Sequence, residues 1–278
     1  MNRIERSARW LKYKCGLGDN SAVTVALRPY YDQFLTLLYE RQGLPRRMNS
    51  VEDIRIRPAH RNYKDSHETE VFQYMRSVVR HGDVVLEAGA NFGVFTVLLA
   101  RWVAPGGRVF AFEPAPIPRA ALVDHLALNG AHSLVTVVPE ALGRERGKAD
   151  FYVEEMSGQN TLSKAHSRIP EAKPISVSVN TIDAFCDANG LAPALIKIDV
   201  EGFEHCVLRG GMRTLAKARP RIVVEIHPML WDETGTSSEE IRALIEEAAY
   251  ACTPLSGQRD AFQEYGHVAL EPIHKTWN

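Results

Sequence analysis

The feature that most constrains this chain is the regular alternation, from residue 68 onward, of short apolar runs with amphipathic stretches. Residues 83–89, 108–114 and 135–143 are apolar runs that end in glycine or proline, and residues 94–103 and 117–130 between them have helical periodicity. The runs are apolar almost throughout, which is typical of strands buried on both faces of a sheet. The pattern therefore predicts an α/β fold with a Rossmann-like, mostly parallel sheet covered by helices on both sides.

The alternation resumes in the C-terminal half of the chain. Residues 195–202 and 221–228 predict two further buried strands, and residues 203–215 and 237–250 predict the helices that follow them. The second of these helices begins with a Ser-Ser-Glu-Glu sequence, which is typical of a capped helix start. The central sheet is therefore expected to contain at least five parallel strands.

Three segments depart from this alternation. Residues 149–182 contain β-branched, alternating stretches that predict an inserted hairpin with a polar loop over 155–174. The tail over 251–278 predicts short antiparallel strands at one edge of the sheet. The first 65 residues lack the regular alternation of the rest of the chain. We therefore expect an N-terminal helical cap over 1–65 and the main domain over 66–278.

Two helices are predicted within the cap. Basic residues recur at helical spacing over residues 3–12, and residues 30–41 form an apolar-periodic stretch that ends before Gly43 and Pro45. The basic stretch fits either a solvated helix face or a helix on a membrane surface. Large apolar anchors are few there, which favours the solvated face.

The composition excludes several classes of protein. Of the 278 residues 45% are hydrophobic, which excludes a wholly disordered chain. The 33 Lys and Arg residues balance 34 Asp and Glu residues, so no nucleic-acid partner is expected. No apolar stretch approaches the ~18 residues of a transmembrane helix, and the N-terminus lacks the apolar region of a secretory signal. The four cysteines are scattered, which predicts reduced thiols in a cytoplasmic protein without structural zinc.

The loop after the first predicted strand indicates the kind of ligand. It reads EAGANFG over residues 87–93, so Asn91 stands where a dinucleotide fingerprint has its second glycine. That glycine lets a backbone approach a diphosphate, so the loop suits a nucleoside ligand without phosphate. Glu87 before the loop favours a cationic group. S-adenosylmethionine, with its ammonium and sulfonium groups, fits these features, and we expect the loop residues Gly89, Ala90, Asn91 and Gly93 to contact it.

The ends of the next two strands extend the predicted cofactor site. Glu113 ends the second strand twenty residues after Gly93, where a carboxylate can accept both hydroxyls of a ribose, and Pro114 follows it. Glu140 and Ala141 follow the third strand, where an adenine edge would lie. The alternatives are a carboxylate that caps the following helix at Glu113 and an ordinary loop glutamate at Glu140.

The order of these motifs resembles that of the FkbM-type methyltransferases. The resemblance rests on VVLEAGANFG, RVFAFEP, TIDAF, LIKIDVEGFE, VLRGG and RIVVEIHP, and it extends over roughly 68–228. It implies an S-adenosylmethionine-dependent enzyme with the class I methyltransferase fold that acts mostly on oxygen. It also implies that Glu113 binds the ribose and that Asp199 and Glu201 form an acidic pair at a strand end. The residues that it implies for the methionine side of the cofactor are Glu87, Gly89, Asn91 and Gly93.

The proton acceptor of such a reaction is expected at the ends of two adjacent strands. Asp199, Glu201, Glu225 and His227 follow or end the strands over 195–202 and 221–228, so they are expected to meet above the sheet. His227 is our first candidate for the general base, with Asp199 and Glu201 beside it. The alternative is a Mg²⁺ site formed by Asp199, Glu225 and His227.

The sequence thus predicts methyl transfer from S-adenosylmethionine to a hydroxyl of a sugar or natural product, with a small molecule or a glycan as the acceptor. Three alternatives stay open at this point: a carboxyl O-methyltransferase, an NAD-type oxidoreductase on a similar sheet, and a non-catalytic cofactor-binding module. The sequence also allows a homo-oligomer.

Overall fold

A computed structural model of the chain describes residues 3–16, 18, 21–63, 65–152 and 174–273. The predicted loop over 155–174 therefore lies, except for Pro174, outside the described residues. None of the described helices is both long enough and apolar enough to cross a membrane.

The N-terminal segment contains two helices and a hairpin: α1 (Arg3–Lys14), α2 (Ala22–Tyr39), β1 (Leu44–Met48) and β2 (Glu52–Ile56). The hairpin is antiparallel, and buried residues of α2, β1 and β2 belong to the same apolar cluster as the first strands and helices of the central sheet. The segment thus shares its core with the rest of the protein. The boundary at residue 65 stays a prediction.

Helix α2 begins eight residues before the predicted start at residue 30. The Ser21 side chain caps it by accepting a hydrogen bond from the Thr24 backbone N–H at 3.2 Å. Its first turns expose Val23, Val25 and Leu27. Because no residue of those turns is buried, the apolar periodicity on which the prediction depends begins only later in the helix.

The main domain follows in chain order as α3 (Thr69–Val78), β3 (Val84–Ala88), α4 (Val94–Val103), β4 (Arg108–Phe112), α5 (Pro116–Leu128), β5 (Val135–Val138), β6 (Ala141–Leu142), β7 (Gly147–Phe151), β8 (Ile175–Asn180), α6 (Ile182–Asn189), β9 (Leu195–Ile198), α7 (Glu204–Arg209), α8 (Met212–Ala218), β10 (Arg221–Ile226), α9 (Trp231–Thr234), α10 (Ser238–Glu247), β11 (Tyr250–Pro254) and β12 (Gly266–Pro272). Three short 3₁₀ turns complete the described elements.

Seven strands form the central sheet in the order β11-β12-β10-β9-β3-β4-β5. The pairs β10–β9, β9–β3, β3–β4 and β4–β5 are parallel. Apolar clusters cover both faces. The predicted α/β class and mostly parallel sheet are confirmed. The tail forms the antiparallel strands β11 and β12 at one edge of the sheet, as predicted. β12 lies between β10 and β11, so the edge strand β11 runs in the same direction as β10.

The predicted insertion forms a separate small sheet. Strands β7 and β8 pair antiparallel, as expected for a hairpin, and β6 adds to β8 in parallel. This sheet contributes Ala141, Leu142 and Phe151 to the wall of the cavity described next.

Candidate active site

A cavity of about 330 Å³ lies at the carboxyl ends of β3, β4 and β9. All ten predicted cofactor-binding residues line it: Glu87, Gly89, Ala90, Asn91, Gly93, Glu113, Pro114, Glu140, Ala141 and Asp199. Glu201 and Glu225 also line it, and His227 lies behind them in contact with both carboxylates. The edge is the one at which ligands bind in open α/β sheets.

The loop after β3 turns tightly because Gly89, Asn91 and Gly93 have positive φ angles of 80°, 50° and 78°. The backbone N–H groups of Gly89 and Ala90 donate hydrogen bonds to the carbonyl oxygen of Phe112 at the end of β4. A Cβ atom at residue 89 would lie 1.8 Å from the backbone oxygen of Asp199. Glycine at this position therefore permits the close approach that brings the ends of β3 and β9 to the same ligand.

Gly89→Ala is expected to lower the free energy of unfolding by about 3 kcal/mol, since left-handed strain and overpacking against backbone add together. Gly190→Ala is the matched control: Gly190 has a φ of 63°, but its Cβ would contact nothing within 4 Å. Gly190→Ala should lower the free energy of unfolding by about 1 kcal/mol, because only the left-handed strain is added. Urea unfolding measures both. Equal losses for the two variants would contradict the close approach at Gly89.

Glu113 is held by the backbone around it. Its Oε2 accepts a hydrogen bond from the Asn91 N–H at 2.7 Å, and its Oε1 accepts one from the Ala115 N–H at 2.8 Å. Burial disfavours the charged form and raises the pKa of Glu113 to about 7, although both hydrogen bonds oppose this shift. A carboxylate has about four lone-pair positions, so the two oxygens can still accept hydrogen bonds from a ligand.

Glu87 lies beneath the loop and is fully buried. The Thr96 hydroxyl on α4 donates a hydrogen bond to its Oε2 at 2.6 Å. Burial raises the pKa of Glu87 to about 7, while the Lys197 ammonium and the Thr96 hydrogen bond act in the opposite direction. The carboxyl group therefore changes charge near neutral pH.

Lys197 is a site residue that the sequence analysis missed. It is only 3% exposed, its Nζ lies 3.0 Å from Asp199 Oδ2, and it stands over the Phe95 ring. Burial opposes its charge, but Asp199 and other carboxylates outweigh burial and raise the pKa of Lys197. The sequence did contain a signal for Lys197. Residues two apart in a strand share a face, and Asp199, two residues later, had been assigned to the site.

The expected meeting of four side chains above β9 and β10 occurs. His227 Nε2 lies 3.3 Å from Glu201 Oε2 and 3.8 Å from Glu225 Oε1. Burial opposes ionisation of Asp199, but Lys197 outweighs it and lowers the pKa of Asp199. Burial and the neighbouring Asp199 raise the pKa of Glu225 to about 9. One of these two carboxyls is therefore ionised at neutral pH and the other protonated.

Glu204, a second residue that the analysis missed, fixes the orientation of the imidazole. It is fully buried, and its oxygens contact His227 Nδ1 at 2.8 Å, the Trp231 indole N–H at 3.0 Å and the Gly202 N–H at 2.8 Å. Because Nδ1 is bound to Glu204, His227 presents Nε2 to the other carboxylates. A buried carboxylate behind a histidine is also the usual support of a metal-ligating imidazole.

Burial disfavours the imidazolium form of His227, but the Glu204 hydrogen bond and the nearby carboxylates outweigh burial. Together they raise the pKa of His227 to about 9. The ring is therefore protonated at neutral pH before any ligand binds. It can therefore accept a proton from an acceptor only after it has released its own.

The structure groups the candidate metal ligands differently from the sequence prediction. Asp199, Glu201 and His227 bring ligand atoms within 4.8 Å of one another, whereas Glu225 does so with Glu68 and His267. Three residues that precede α3 also line the cavity, namely Tyr63, His67 and Glu68. No periodic pattern marks these three residues, so sequence reasoning had no signal for them.

Glu140 and Ala141 lie at the opposite end of the cavity. Glu140 Oε2 accepts a hydrogen bond from the Asn180 side chain at 2.8 Å, and Ala141 begins β6. Both line the cavity, so their contact with an adenine edge stays a prediction.

The family model of the methyltransferase FkbM domain matches residues 87–252. This range includes the glycine loop, Glu113, the strand-end acids and His227. The chain belongs to the FkbM methyltransferase family. The sequence-based prediction of the family and of a methyltransferase is confirmed, so an oxidoreductase and a non-catalytic module are no longer alternatives.

Two curated relatives are similar over most of this methyltransferase. The 31-O-demethyl-FK506 methyltransferase FkbM of Streptomyces tacrolimicus is 31% identical over 199 residues, covering 62% of this chain and 75% of that protein. The hexuronic acid methyltransferase AglP of Haloferax volcanii is 27% identical over 184 residues, covering 65% of this chain and 69% of that protein. The solved structure of a methyltransferase FkbM from Methylobacillus flagellatus is 16% identical, with a TM-score of 0.47, over 71% of this chain and 50% of that chain.

Proposed function

We propose that this methyltransferase binds S-adenosylmethionine in the cavity and methylates a hydroxyl of a sugar or natural product. The observation that carries the proposal is the charge of the cavity wall. Among the described residues, seven acidic side chains line it, namely Glu68, Glu87, Glu113, Glu140, Asp199, Glu201 and Glu225, against one lysine, which is paired with Asp199. Such a wall disfavours a diphosphate and favours a ligand with ammonium and sulfonium charges.

The position of each group supports one orientation of the cofactor. Glu113 beside the glycine loop offers acceptor positions for the two ribose hydroxyls. Glu87 and Asp199, whose strands pair directly, lie on the methionine side. Glu140 and Ala141 lie where the adenine would extend. The FkbM family membership supports the same order along the sheet.

The acceptor is proposed to enter beside β9 and β10. Bound S-adenosylmethionine supplies an activated methyl group, whose carbon–sulfur bond breaks as a carbon–oxygen bond forms. The protein's residues then need to align the hydroxyl and to take its proton. Glu201 and His227 are the candidate proton acceptors next to Asp199, and His227 must first release its own proton, because its pKa is about 9. The name of one relative, a methyltransferase of a 31-O-demethyl derivative, supports an oxygen acceptor on a natural product. The name of the other, a hexuronic acid methyltransferase, is compatible with a hydroxyl or a carboxyl acceptor, since a hexuronic acid has both groups.

Glu113→Gln is expected to weaken S-adenosylmethionine binding by about 1–3 kcal/mol, because one charged acceptor of the ribose is removed. Titration calorimetry of the purified chain measures the change. Glu145→Gln, which alters an exposed carboxylate outside the cavity, is the control and should leave the affinity unchanged. Unchanged affinity in Glu113→Gln would remove this residue from the proposed site.

The affinity for S-adenosylmethionine is also expected to depend on pH. The ionised form of Glu113 is the hydroxyl acceptor, and its pKa is about 7. Binding is therefore strong above this pH and weakens by up to ~10-fold per pH unit below it, because a proton must first leave. In Glu113→Gln the slope of log affinity against pH between pH 7 and pH 5.5 should be smaller by one proton. An identical slope in both proteins would contradict the assignment.

The acceptor itself is identified by a screen of sugars and natural products. Each candidate is incubated with the protein and S-adenosylmethionine, and its intact mass is measured for the gain of one methyl group. Loss of the added methyl after mild base treatment would indicate an ester, and hence a carboxyl acceptor. A methylated product that resists base supports the proposed hydroxyl.

A further inference from the structure

A second group of ligand-type side chains lies beside the candidate active site. Glu68 at the start of α3, Glu225 on β10 and His267 on β12 bring one ligand atom each within 4.8 Å of one another. Glu225 and His267 are direct cross-strand partners, and Glu68 and Glu225 line the cavity. Tertiary packing thus brings the ligand atoms of one imidazole and two carboxyl groups close together.

Two atoms of this group are buried without a hydrogen bond. His267 is only 7% exposed, and its Nε2 lies 3.3 Å from Glu68 Oε2 and 3.7 Å from Glu225 Oε2. Within the described residues, however, neither His267 Nε2 nor Glu68 Oε2 makes a hydrogen bond with acceptable angles. A buried polar atom without a partner is costly. A shared partner between the side chains would satisfy both of these atoms.

The spacing of the atoms fits a metal ion as that partner. Ligand atoms about 2.1 Å from a cation, at angles between octahedral and tetrahedral values, lie roughly 3.0–3.4 Å apart. The separation of 3.3 Å between His267 Nε2 and Glu68 Oε2 is within this range, and the 3.7 Å to Glu225 Oε2 exceeds it by a few tenths of an ångström.

The supports behind these side chains also suit a metal site. The His267 Nδ1 lies 3.2 Å from the Ser256 hydroxyl, which also accepts the His267 backbone N–H at 3.1 Å, so the ring is held with Nε2 directed inward. The other oxygen of Glu68 lies 2.6 Å from His67 Nε2. Tyr265 donates a hydrogen bond to Glu225. Such outer contacts orient the ligands of protein metal sites.

We propose that Glu68, Glu225 and His267 bind a divalent first-row transition-metal cation. An imidazole with two carboxylates suits Mn²⁺ or Zn²⁺ better than Mg²⁺, which prefers an all-oxygen shell. The site is separate from the Asp199, Glu201 and His227 group, although Glu225 lies between the two. Its existence does not depend on the proposed function. If that function holds, the cation faces the acceptor side of the cavity.

Mn²⁺ binding to the cofactor-free full chain tests the proposal. After treatment with EDTA and its removal by dialysis, the protein is titrated with Mn²⁺, and the free ion is measured by electron paramagnetic resonance. Glu68→Gln and His267→Gln should each weaken Mn²⁺ binding by ~10–100-fold. His132→Gln, which changes an exposed histidine outside the cavity wall, should bind like the unaltered protein. Circular dichroism and the melting temperature of each variant show whether it is folded.

Two outcomes would overturn the proposal. The first is that the unaltered protein binds no Mn²⁺ and its melting temperature does not rise when the ion is added. The second is that Glu201→Gln abolishes binding whereas folded Glu68→Gln and His267→Gln retain it, which would assign the ion to the other group. S-adenosylmethionine affinity, measured separately by calorimetry, reports on the proposed function, so the two failures are distinguishable.

Discussion

His227→Ala is expected to lower kcat by ~10²–10⁴-fold, the range for loss of one general acid–base group. S-adenosylmethionine affinity should change little, because His227 lies behind Glu201 and Glu225 rather than in the cavity wall. Stopped or continuous methyl-transfer assays give kcat, and calorimetry gives the affinity. A variant with normal kcat would show that the imidazole takes no part in removing the acceptor's proton.

Glu204→Gln separates the position of this imidazole from its chemistry. Glu204 does not line the cavity, but it accepts the His227 and Trp231 hydrogen bonds. The change keeps the side-chain shape and removes the charge that favours the imidazolium. We expect a smaller loss of kcat than in His227→Ala and an unchanged KM. A changed KM with an unchanged kcat would contradict a positioning role for Glu204.

Metal removal distinguishes the two predicted routes for the proton. If His227 accepts it directly, turnover should resist EDTA while His227→Ala is inactive. If a cation beside Asp199 acidifies the hydroxyl, EDTA should abolish turnover, and Mn²⁺ or Mg²⁺ should restore it. If neither EDTA nor the His227→Ala change lowers turnover, an acceptor that is already acidic, such as a carboxyl group, is favoured.

Lys197→Met is expected to have the largest effect on folding. The change leaves the buried Glu87 and Asp199 carboxylates without their common cation, and loss of one partner from a buried ion pair costs about 3–5 kcal/mol. Binding of S-adenosylmethionine should be impaired in parallel, because both carboxylates face the same cavity. Urea unfolding at pH 8 measures the loss. Lys217→Met, on an exposed face of α8, is the control.

The loss in Lys197→Met should depend on pH with a defined sign. Lys197 lowers the pKa of Glu87, so its removal moves that pKa further above the unfolded value. Between roughly pH 5 and pH 8 the folded variant then binds more protons than the unfolded chain, and its stability rises as the pH falls. The variant should therefore recover part of its stability at pH 6. Equal losses at pH 6 and pH 8 would show that charge is not the cause.

Much of the fold was predictable because it depends on local patterns. The near-continuous apolar runs around Val85, Val109 and Ile196 are fully buried in the sheet, and the same runs predicted it. The start of α2 was missed because no residue of its first turns is buried. Those turns therefore lack the apolar periodicity that predicted the rest of the helix. The place of β12 between β10 and β11 was not predicted, since strand order is a property of long-range pairing that no local pattern encodes.

The order of the motifs along the chain was sufficient to predict a parallel α/β sheet, and to predict that the acids Glu87, Glu113 and Asp199 lie together. This follows because strand ends of a parallel sheet meet at one edge, so position along a strand suffices to assign them. Contacts between side chains that are remote in the chain became evident only in the folded protein. Glu68 and His267 lie 199 positions apart in the chain and Glu204 and His227 lie 23 apart, yet each pair is in contact. Such contacts depend on the packing of α3 and α7 against the sheet, and no periodicity in the sequence specifies that packing.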